Sequence, residues 1–263
     1  MTSSPRLVAS DLDGTLVRSD GTVSERARAA IAAVEAAGVP FVMVTGRPPR
    51  WMAQVAEDTG HRGVAICANG AILYDLHTEQ VLQASLIGAA EAGEVVTALR
   101  AALPDVTFAV EDGQAGFGHE PGYRPRWESG EMRTAPIEEL YEQGVAKLLV
   151  RHEGMDGAAL HAAALAVLGA LVETSYSSPD GLLEITASGV TKATGLAVLA
   201  AQHGVDAADV IAFGDMPNDL PMLLWSGRGV AMANAHPDVK AVADEMTSSN
   251  DDDGVAAVLE RWF

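Results

Sequence analysis

Near its amino-terminal end the chain contains the stretch Leu7-Val8-Ala9-Ser10-Asp11-Leu12-Asp13-Gly14-Thr15-Leu16, in which an apolar run is followed by two carboxylates. The apolar run is typical of a short buried strand. Asp13-Gly14 alone is typical of a tight turn, because both residue types accept turn conformations. An acidic pair directly after a buried strand is also what a catalytic site at a strand end requires. The stretch therefore admits a structural and a catalytic interpretation, and the rest of the sequence distinguishes them.

Short apolar runs alternate with helical patterns at both ends of the chain. Ser24 is placed as the N-cap of an alanine-rich helix, and Gly38 follows its end. The alternation predicts an α/β fold with a Rossmann-like, doubly wound parallel sheet and helices on both faces. Helices are predicted at 25–37, 191–203, 221–225, 239–245 and 255–262, and strands at 41–44, 64–68, 210–213 and 229–232.

The middle of the chain differs from its ends and predicts an inserted α+β domain. We expect a catalytic core formed by residues 1–82 and 188–263, with residues 83–187 as a cap domain inserted into it. The predicted cap contains helices at 89–103 and 155–168, strands at 106–111, 145–151, 171–175 and 182–186, and a loop rich in glycine and proline at 113–125.

Composition limits the classes to which the protein can belong. The 263 residues carry a formal net charge of −19 and show no basic stripe, so we expect no nucleic-acid partner. The longest aliphatic stretch, 160–172, contains His161 and is shorter than the roughly 20 residues of a membrane span, so we expect no membrane partner. A single cysteine, Cys67, excludes an intrachain disulfide. With no signal-peptide pattern in residues 1–10, the sequence predicts a cytoplasmic protein.

Polar residues follow three of the predicted parallel strands. Because ligand sites of open α/β sheets lie beyond the carboxyl ends of the strands, we expect these three segments to meet. The four carboxylates Asp11, Asp13, Asp215 and Asp219 would then repel one another unless a cation lay between them. Oxygen ligands of this kind suit Mg²⁺. The three segments are Asp11-Leu12-Asp13-Gly14-Thr15, Thr45-Gly46-Arg47 and Gly214-Asp215-Met216-Pro217-Asn218-Asp219.

Lys192 stands at the start of a predicted helix, where the helix dipole disfavours a cation. A lysine there is better explained if an anion lies nearby. Thr45 and Gly46 precede another predicted helix, whose backbone N–H groups would suit a phosphate. Singly, each of these residues could be a cap, a turn or a surface residue. Their joint occurrence at strand ends and helix starts favours a phosphate site.

With these motifs the sequence strongly resembles the haloacid dehalogenase-like superfamily, and within it the Cof-type sugar-phosphatase branch with a type IIB cap. The resemblance covers both predicted core segments and continues into the tail of the chain. Its motifs are Asp11-Leu12-Asp13-Gly14-Thr15-Leu16, Val44-Thr45-Gly46-Arg47-Pro48, Gly189-Val190-Thr191-Lys192 with Gly195-Leu196, Gly214-Asp215 to Asn218-Asp219 with Met222-Leu223, and Gly229-Val230-Ala231-Met232-Ala233-Asn234-Ala235.

The resemblance implies chemistry for the two leading carboxylates. Asp11 would attack phosphorus and form an aspartyl-phosphate, which splits the reaction into two steps. Asp13 would protonate the leaving alcohol and then activate water. Asp11, the backbone carbonyl of Asp13, and Asp215 would bind Mg²⁺, with Asp219 in a supporting role.

The resemblance also implies a phosphate site and a substrate-reading cap. Lys192 would take part in catalysis and, with Thr45, Gly46 and Asn218, would hold the phosphate. The substrate would be a small phosphorylated metabolite, in this branch often a sugar phosphate. Candidates for substrate specificity are Arg47, Asn69, His119, Glu120, Arg124 and Arg126.

Two other functions are compatible with the motifs. A phosphotransferase or phosphomutase would use the same intermediate and pass the phosphoryl group to a second sugar. A non-enzymatic phospho-relay or metabolite-sensing module could also combine an acidic cluster with a threonine and a lysine. Such a module needs no acid/base, so the presence of Asp13 favours an enzyme.

Overall fold

The computed structural model describes residues 4–114, 116–125, 132–178 and 180–263. In chain order its strands are β1 (Leu7–Ser10), β2 (Phe41–Val44), β3 (Val64–Cys67), β4 (Ile72–Asp75), β5 (Gln80–Ala84), β6 (Thr107–Glu111), β7 (Phe117–His119), β8 (Met132–Thr134), β9 (Lys147–Arg151), β10 (Val172–Ser175), β11 (Leu182–Ala187), β12 (Val210–Gly214), β13 (Arg228–Ala231) and β14 (Glu245–Met246). Its α-helices are α1 (Glu25–Ala36), α2 (Met52–Thr59), α3 (Ala89–Ala102), α4 (Ile137–Leu140), α5 (Gly157–Leu168), α6 (Lys192–Gln202), α7 (Leu220–Trp225), α8 (Pro237–Val242) and α9 (Gly254–Leu259).

The larger sheet has eight strands in the order β14-β13-β12-β1-β2-β3-β4-β5. Six of them run parallel, with β1 at the centre between β12 and β2. At the other edge β4 and β5 are antiparallel, a feature that the sequence did not predict. The α/β fold class is confirmed, and the central strands are buried, as the strands of a parallel sheet covered on both faces should be.

The smaller sheet has six strands in the order β10-β11-β9-β6-β7-β8 and is mainly antiparallel. Helices α3 and α5 pack against each other and belong, with β6, β9 and β11, to a separate apolar core. All strands of this sheet lie between Thr107 and Ala187, within the segment predicted to be inserted. The exact boundaries at residues 83 and 187 stay a prediction.

Two short strands, β7 and β14, lie where the sequence predicted a loop and the end of a helix. The predicted loop at 113–125 contains β7, because Phe117 is buried against Tyr123 and Leu149. The predicted helix at 239–245 ends at Val242, and Glu245 instead pairs with β13 at the sheet edge. In both segments tertiary packing outweighs the local pattern.

The start of α1 shows how local sequence fixes an element. Ser24 accepts a hydrogen bond from the backbone N–H of Ala27 at 2.9 Å, which confirms the predicted N-cap. Gly38 follows the helix with a φ of +75°, a conformation that glycine adopts without strain. Among the described residues, no helix combines the length and the apolar character needed to cross a membrane.

Candidate active site

Strand pairing brings the first and last motifs of the core together. Ser10 and Phe213 are partners in the parallel pair β1–β12. Asp11 and Asp215 therefore both lie just beyond the carboxyl ends of these two neighbouring strands. Carboxylate oxygens of Asp11, Asp215 and Asp219 lie within 4.8 Å of one another. All three residues are buried, and Asp219 has no exposed surface. The structure therefore groups three of the four carboxylates that were expected to meet.

Lys192 lies between these carboxylates. Its Nζ donates to Asp11 Oδ1 and to Asp219 Oδ1, each at 2.6 Å, and the residue is 1% exposed. The helix dipole disfavours a cation at the start of α6, and the carboxylates of Asp11 and Asp219 offset this effect on Lys192. Asp219 also accepts hydrogen bonds through Oδ2 from the backbone N–H groups of Asp215 (2.9 Å) and Met216 (3.0 Å). Both of its oxygens are engaged, which fits a supporting role.

Burial and crowding change the proton affinity of this group. Burial, together with the neighbouring Asp219, raises the pKa of Asp215 to about 7, although Lys192 opposes the shift. Burial also raises the pKa of Asp11 well above its usual range, again against the effect of Lys192. The pKa of Lys192 is raised, because its two carboxylate partners outweigh burial. One buried ammonium does not neutralise three buried carboxylates.

The excess of buried carboxylates over buried ammonium groups bears on whether a cation fits between Asp11 and Asp215. Buried carboxylates with raised pKa values gain from a positive charge placed between them, since it favours their ionised forms. An all-oxygen donor set suits hard divalent cations such as Mg²⁺. The chemistry of the donor set of Asp11 and Asp215 therefore fits a divalent metal.

Asp13 lies outside that carboxylate group and pairs with Arg47. Arg47 Nε donates to Asp13 Oδ2 at 2.8 Å and Arg47 Nη2 to Asp13 Oδ1 at 2.5 Å. The Asp13 side chain is 61% exposed, so it can reach a ligand in the cavity that it lines with Arg47. Its predicted metal contact through the backbone carbonyl stays a prediction.

The predicted phosphate residues follow β2, but the helix there differs from the prediction. Thr45 is buried, and its Oγ1 accepts a hydrogen bond from the backbone N–H of Arg47 at 3.0 Å. The next helical turn is a 3₁₀ turn that begins at Pro49, and α2 starts only at Met52. Because Pro48 and Pro49 have no backbone N–H, this helix start offers fewer donors to a phosphate than the sequence suggested.

A cavity of about 460 Å³ lies between the larger sheet and the smaller one. The smaller sheet and the connection between β10 and β11 contribute four polar residues that the sequence analysis missed, because no motif marks them. Trp51, Leu149, Leu182 and Met216 add apolar surface to its wall. The four polar residues are Glu111, Lys147, Ser177 and Glu184.

Lys147 and Glu184 form a buried ion pair in this cavity. Lys147 Nζ donates to Glu184 Oε1 at 2.6 Å and to the carbonyl of Gly46 at 2.7 Å. Ser177 donates to the other oxygen of Glu184 at 2.8 Å. Burial would raise the pKa of Glu184, but Lys147, Ser177 and Asn69 outweigh it and hold that pKa below its ordinary value. Glu184 is thus an ionised hydrogen-bond acceptor next to the predicted phosphate residues.

Asn69, a predicted specificity residue, and Asn218, a predicted phosphate residue, lie side by side. Asn218 Nδ2 donates to Asn69 Oδ1 at 3.1 Å, and both residues are buried. A Cβ atom added to Gly46 would lie 3.1 Å from Asn69 Oδ1 and 3.5 Å from Glu184 Oε1. Gly46, Asn69 and Glu184 therefore approach one another closely.

The predicted cap residues lie elsewhere, and this corrects their expected position at the cavity. Glu120 is buried against the backbone N–H of Phe108 and pairs with Arg100 on α3. His119 contacts the carbonyl of Glu120 and Thr134. Arg124 lines a different cavity and lies near Glu153. Glu120 follows β7 and binds the backbone of Phe108, whereas His119 pairs with Ala109 and so shares the sheet face of Glu111, but it is not among the described residues that line the cavity. Arg126 lies outside the described residues.

Comparisons with known proteins agree with this architecture. The model of the family of haloacid dehalogenase-like hydrolases matches residues 8–259. The 5-amino-6-(5-phospho-D-ribitylamino)uracil phosphatase YitU of Bacillus subtilis (strain 168) is 29% identical over 274 residues, covering 100% of this chain and 99% of that protein. The HAD phosphatase BT1666 of Bacteroides thetaiotaomicron superposes with a TM-score of 0.83 at 25% identity, over 98% of this chain and 95% of that chain. The HAD subclass IIB sugar phosphatase BT4131 shares the fold, with a TM-score of 0.84 at 23% identity over 98% of each chain.

The chain belongs to the haloacid dehalogenase-like hydrolase family, because the family model spans almost its whole length. The resemblance to the Cof-type branch is confirmed, and so is the prediction of a phosphatase. A non-enzymatic relay module does not fit these relatives.

Proposed function

We propose that this protein is a Mg²⁺-dependent phosphatase that hydrolyses small phosphorylated metabolites, foremost sugar phosphates, through an aspartyl-phosphate on Asp11. The observation that carries the proposal is the buried group in which Lys192 contacts Asp11 and Asp219 beside Asp215. A nucleophilic carboxylate next to a fixed ammonium, at the end of a central strand, suits attack on a phosphate.

In the first step an Asp11 oxygen forms a bond to phosphorus while the ester P–O bond breaks. Asp13 gives its proton to the leaving oxygen, so the alcohol departs uncharged. In the second step the Asp13 carboxylate takes a proton from water, whose oxygen attacks phosphorus. Inorganic phosphate leaves and the Asp11 carboxylate is restored. Lys192, Thr45 and Gly46 hold the phosphoryl oxygens during both steps.

Mg²⁺ would be held by Asp11, Asp215 and the backbone carbonyl of Asp13, with Asp219 behind them. When bound, it would offset the negative charge that phosphate and carboxylates bring into one site. Arg47 would have to share Asp13 with the leaving oxygen, since the two side chains are paired in the structure.

The leaving group would occupy the cavity between the two sheets, with residues 83–187 acting as a cap that covers it. Glu184 and Ser177 offer acceptors for hydroxyl groups, and the apolar wall suits the carbon face of a sugar or a ring. Both cations among the described lining residues, Arg47 and Lys147, are already paired with carboxylates. This supports an uncharged, hydroxyl-bearing leaving group. YitU acts on a ribityl phosphate, which is a compound of this kind.

The decisive assay measures phosphate release from sugar phosphates, glycerol 3-phosphate and p-nitrophenyl phosphate, with Mg²⁺ and with EDTA. We expect release with Mg²⁺, loss of release with EDTA, and recovery when Mg²⁺ is added in excess. No metal-dependent release from any compound would contradict the proposal. Stoichiometric release from a single sugar phosphate, without a second sugar, would separate hydrolysis from phosphoryl transfer.

A further inference from the structure

Two asparagine side chains from the far end of the chain hold the turn that carries Asp13. Asn234 Nδ2 donates to the carbonyl of Gly14 at 2.8 Å. Asn250 Nδ2 donates to the carbonyl of Val17 at 2.9 Å. The backbone N–H of Asn250 also donates to Asn234 Oδ1 at 3.1 Å, so the two side chains form one connected network.

The held turn, residues 12–17, also contacts a predicted metal ligand. Thr15 Oγ1 donates to Asp215 Oδ1 at 3.1 Å. Gly14 has a φ of +79°, and a Cβ atom there would lie 2.3 Å from Asp215 Oδ2. The backbone of the turn therefore packs directly on Asp215, and its position affects both Asp13 and Asp215.

The Asp13 side chain is mostly exposed, so packing does little to fix it. Its orientation depends on the backbone from which it projects and on Arg47. The turn is closed by backbone hydrogen bonds from Thr15 and Val17 to the carbonyl of Leu12. The asparagines bind two other carbonyls of this turn, those of Gly14 and Val17. A misplacement of about 1 Å can cost about 100-fold in rate, so restraint of this turn matters for proton transfer.

We propose that Asn234 and Asn250 are positioning residues for the reaction, which hold the turn so that Asp13 can deliver its proton to the leaving oxygen. The inference rests on the proposed role of Asp13 as general acid. It predicts that loss of either asparagine harms the proton-dependent step more than phosphate binding.

The test compares two substrates that differ in their need for an acid. Glycerol 2-phosphate releases an alkoxide that must be protonated, whereas p-nitrophenyl phosphate releases a stabilised phenolate. In Asn234→Ala, whose side chain is exposed and whose loss the fold should tolerate, we expect kcat for glycerol 2-phosphate to fall about tenfold. The fall for p-nitrophenyl phosphate should be several times smaller, with KM changed little for either. Asn250→Ala should show the same selectivity if it folds.

Ser19→Ala is the matched control. It removes the side-chain hydrogen bond from Ser19 to Asp251 at the exposed end of the same loop and should alter neither rate. Asp13→Asn calibrates the assay and must itself affect glycerol 2-phosphate more strongly. Without that selectivity in Asp13→Asn, the proposed role of Asp13 fails, and the inference with it. With selectivity in Asp13→Asn but equal losses, or none, in Asn234→Ala, the inference alone is overturned.

Discussion

At the residue scale, burial raises the pKa values of Asp215 and Asp11, and a nearby cation would favour their ionised forms. Because the pKa of Asp215 is raised to about 7, the folded protein binds more protons than the unfolded chain between the ordinary aspartate value and that pH. The contribution of Asp215 to stability is therefore present at low pH and is lost as the pH rises through about 7. A cation that favours the ionised form should matter most above that pH.

We expect Mg²⁺ to raise the melting temperature of the protein more at pH 8 than at pH 5. For a protein of this size each kcal/mol of binding free energy corresponds to about 2–4 °C. Thermal unfolding with Mg²⁺ and with EDTA at both pH values measures the difference. Asp215→Asn, which removes a proposed ligand, should abolish it. Equal stabilisation at the two pH values in the wild type would contradict a metal site at these carboxylates.

The carboxylates and the lysine of the candidate site were predictable, because motifs with fixed spacing follow buried strands. Asp11, Asp215 and Lys192 lie together as the strand pattern implied. The charged residues that the smaller sheet adds to the cavity wall were not predictable. Lys147 and Glu184 come from antiparallel strands without a motif, and only the pairing of β9 with β11 brings them together. Charged residues inside strands look like exposed positions until the sheet is known.

At the scale of elements, the start of α6 has to fit tightly against the turn after β3. Gly70 has a φ of +107°, and a Cβ atom there would lie 2.0 Å from the carbonyl oxygen of Thr191. Thr191 caps α6 and precedes Lys192. Close contact between these backbones thus sets the position of the lysine.

Gly70→Ala should lower both stability and kcat, because the added methyl group displaces the first turn of α6. We expect a loss of about 2–3 kcal/mol in the free energy of unfolding. Urea titration and the rate with p-nitrophenyl phosphate measure the two effects. Gly88→Ala is the control, since no atom lies within 4 Å of the new methyl group and φ there is −67°. A Gly70→Ala variant as stable and active as Gly88→Ala would show that α6 is free to move.

Strands β9 and β11 supply the residues expected to read the leaving group. Glu184→Gln should lower kcat/KM for glycerol 3-phosphate relative to that for p-nitrophenyl phosphate by about tenfold, the loss typical of a charged hydrogen bond. Glu173→Gln on the neighbouring strand β10 should leave this ratio unchanged. A ratio that moves equally in both variants would remove Glu184 from substrate recognition.

At the scale of the whole molecule, polar contacts between described residues join the two sheets across the cavity. Arg50, from the 3₁₀ turn before α2, forms a bidentate pair with Glu111 at the end of β6. Lys147 reaches from β9 to the carbonyl of Gly46. These contacts place the smaller sheet over the candidate site, and each of the two cations is paired with a carboxylate.

Arg50→Gln should favour a more open molecule, because it leaves the buried Glu111 without its cation. We expect kcat/KM to fall about tenfold and the radius of gyration from small-angle scattering to rise. Arg100→Gln breaks an arginine–glutamate contact made within the smaller-sheet region and should change neither quantity. An unchanged radius and rate in Arg50→Gln would mean that this pair does not hold the cap closed.

The central claim, that Asp11 becomes phosphorylated, has a direct test. The enzyme is mixed with p-nitrophenyl phosphate and Mg²⁺, quenched in acid within milliseconds, digested and analysed by mass spectrometry. The account predicts one phosphoryl group on the peptide that contains Asp11 in the wild type, and none in Asp11→Asn, which should also lack turnover. Turnover that persists in Asp11→Asn, or a phosphoryl group on a different residue, would contradict the account.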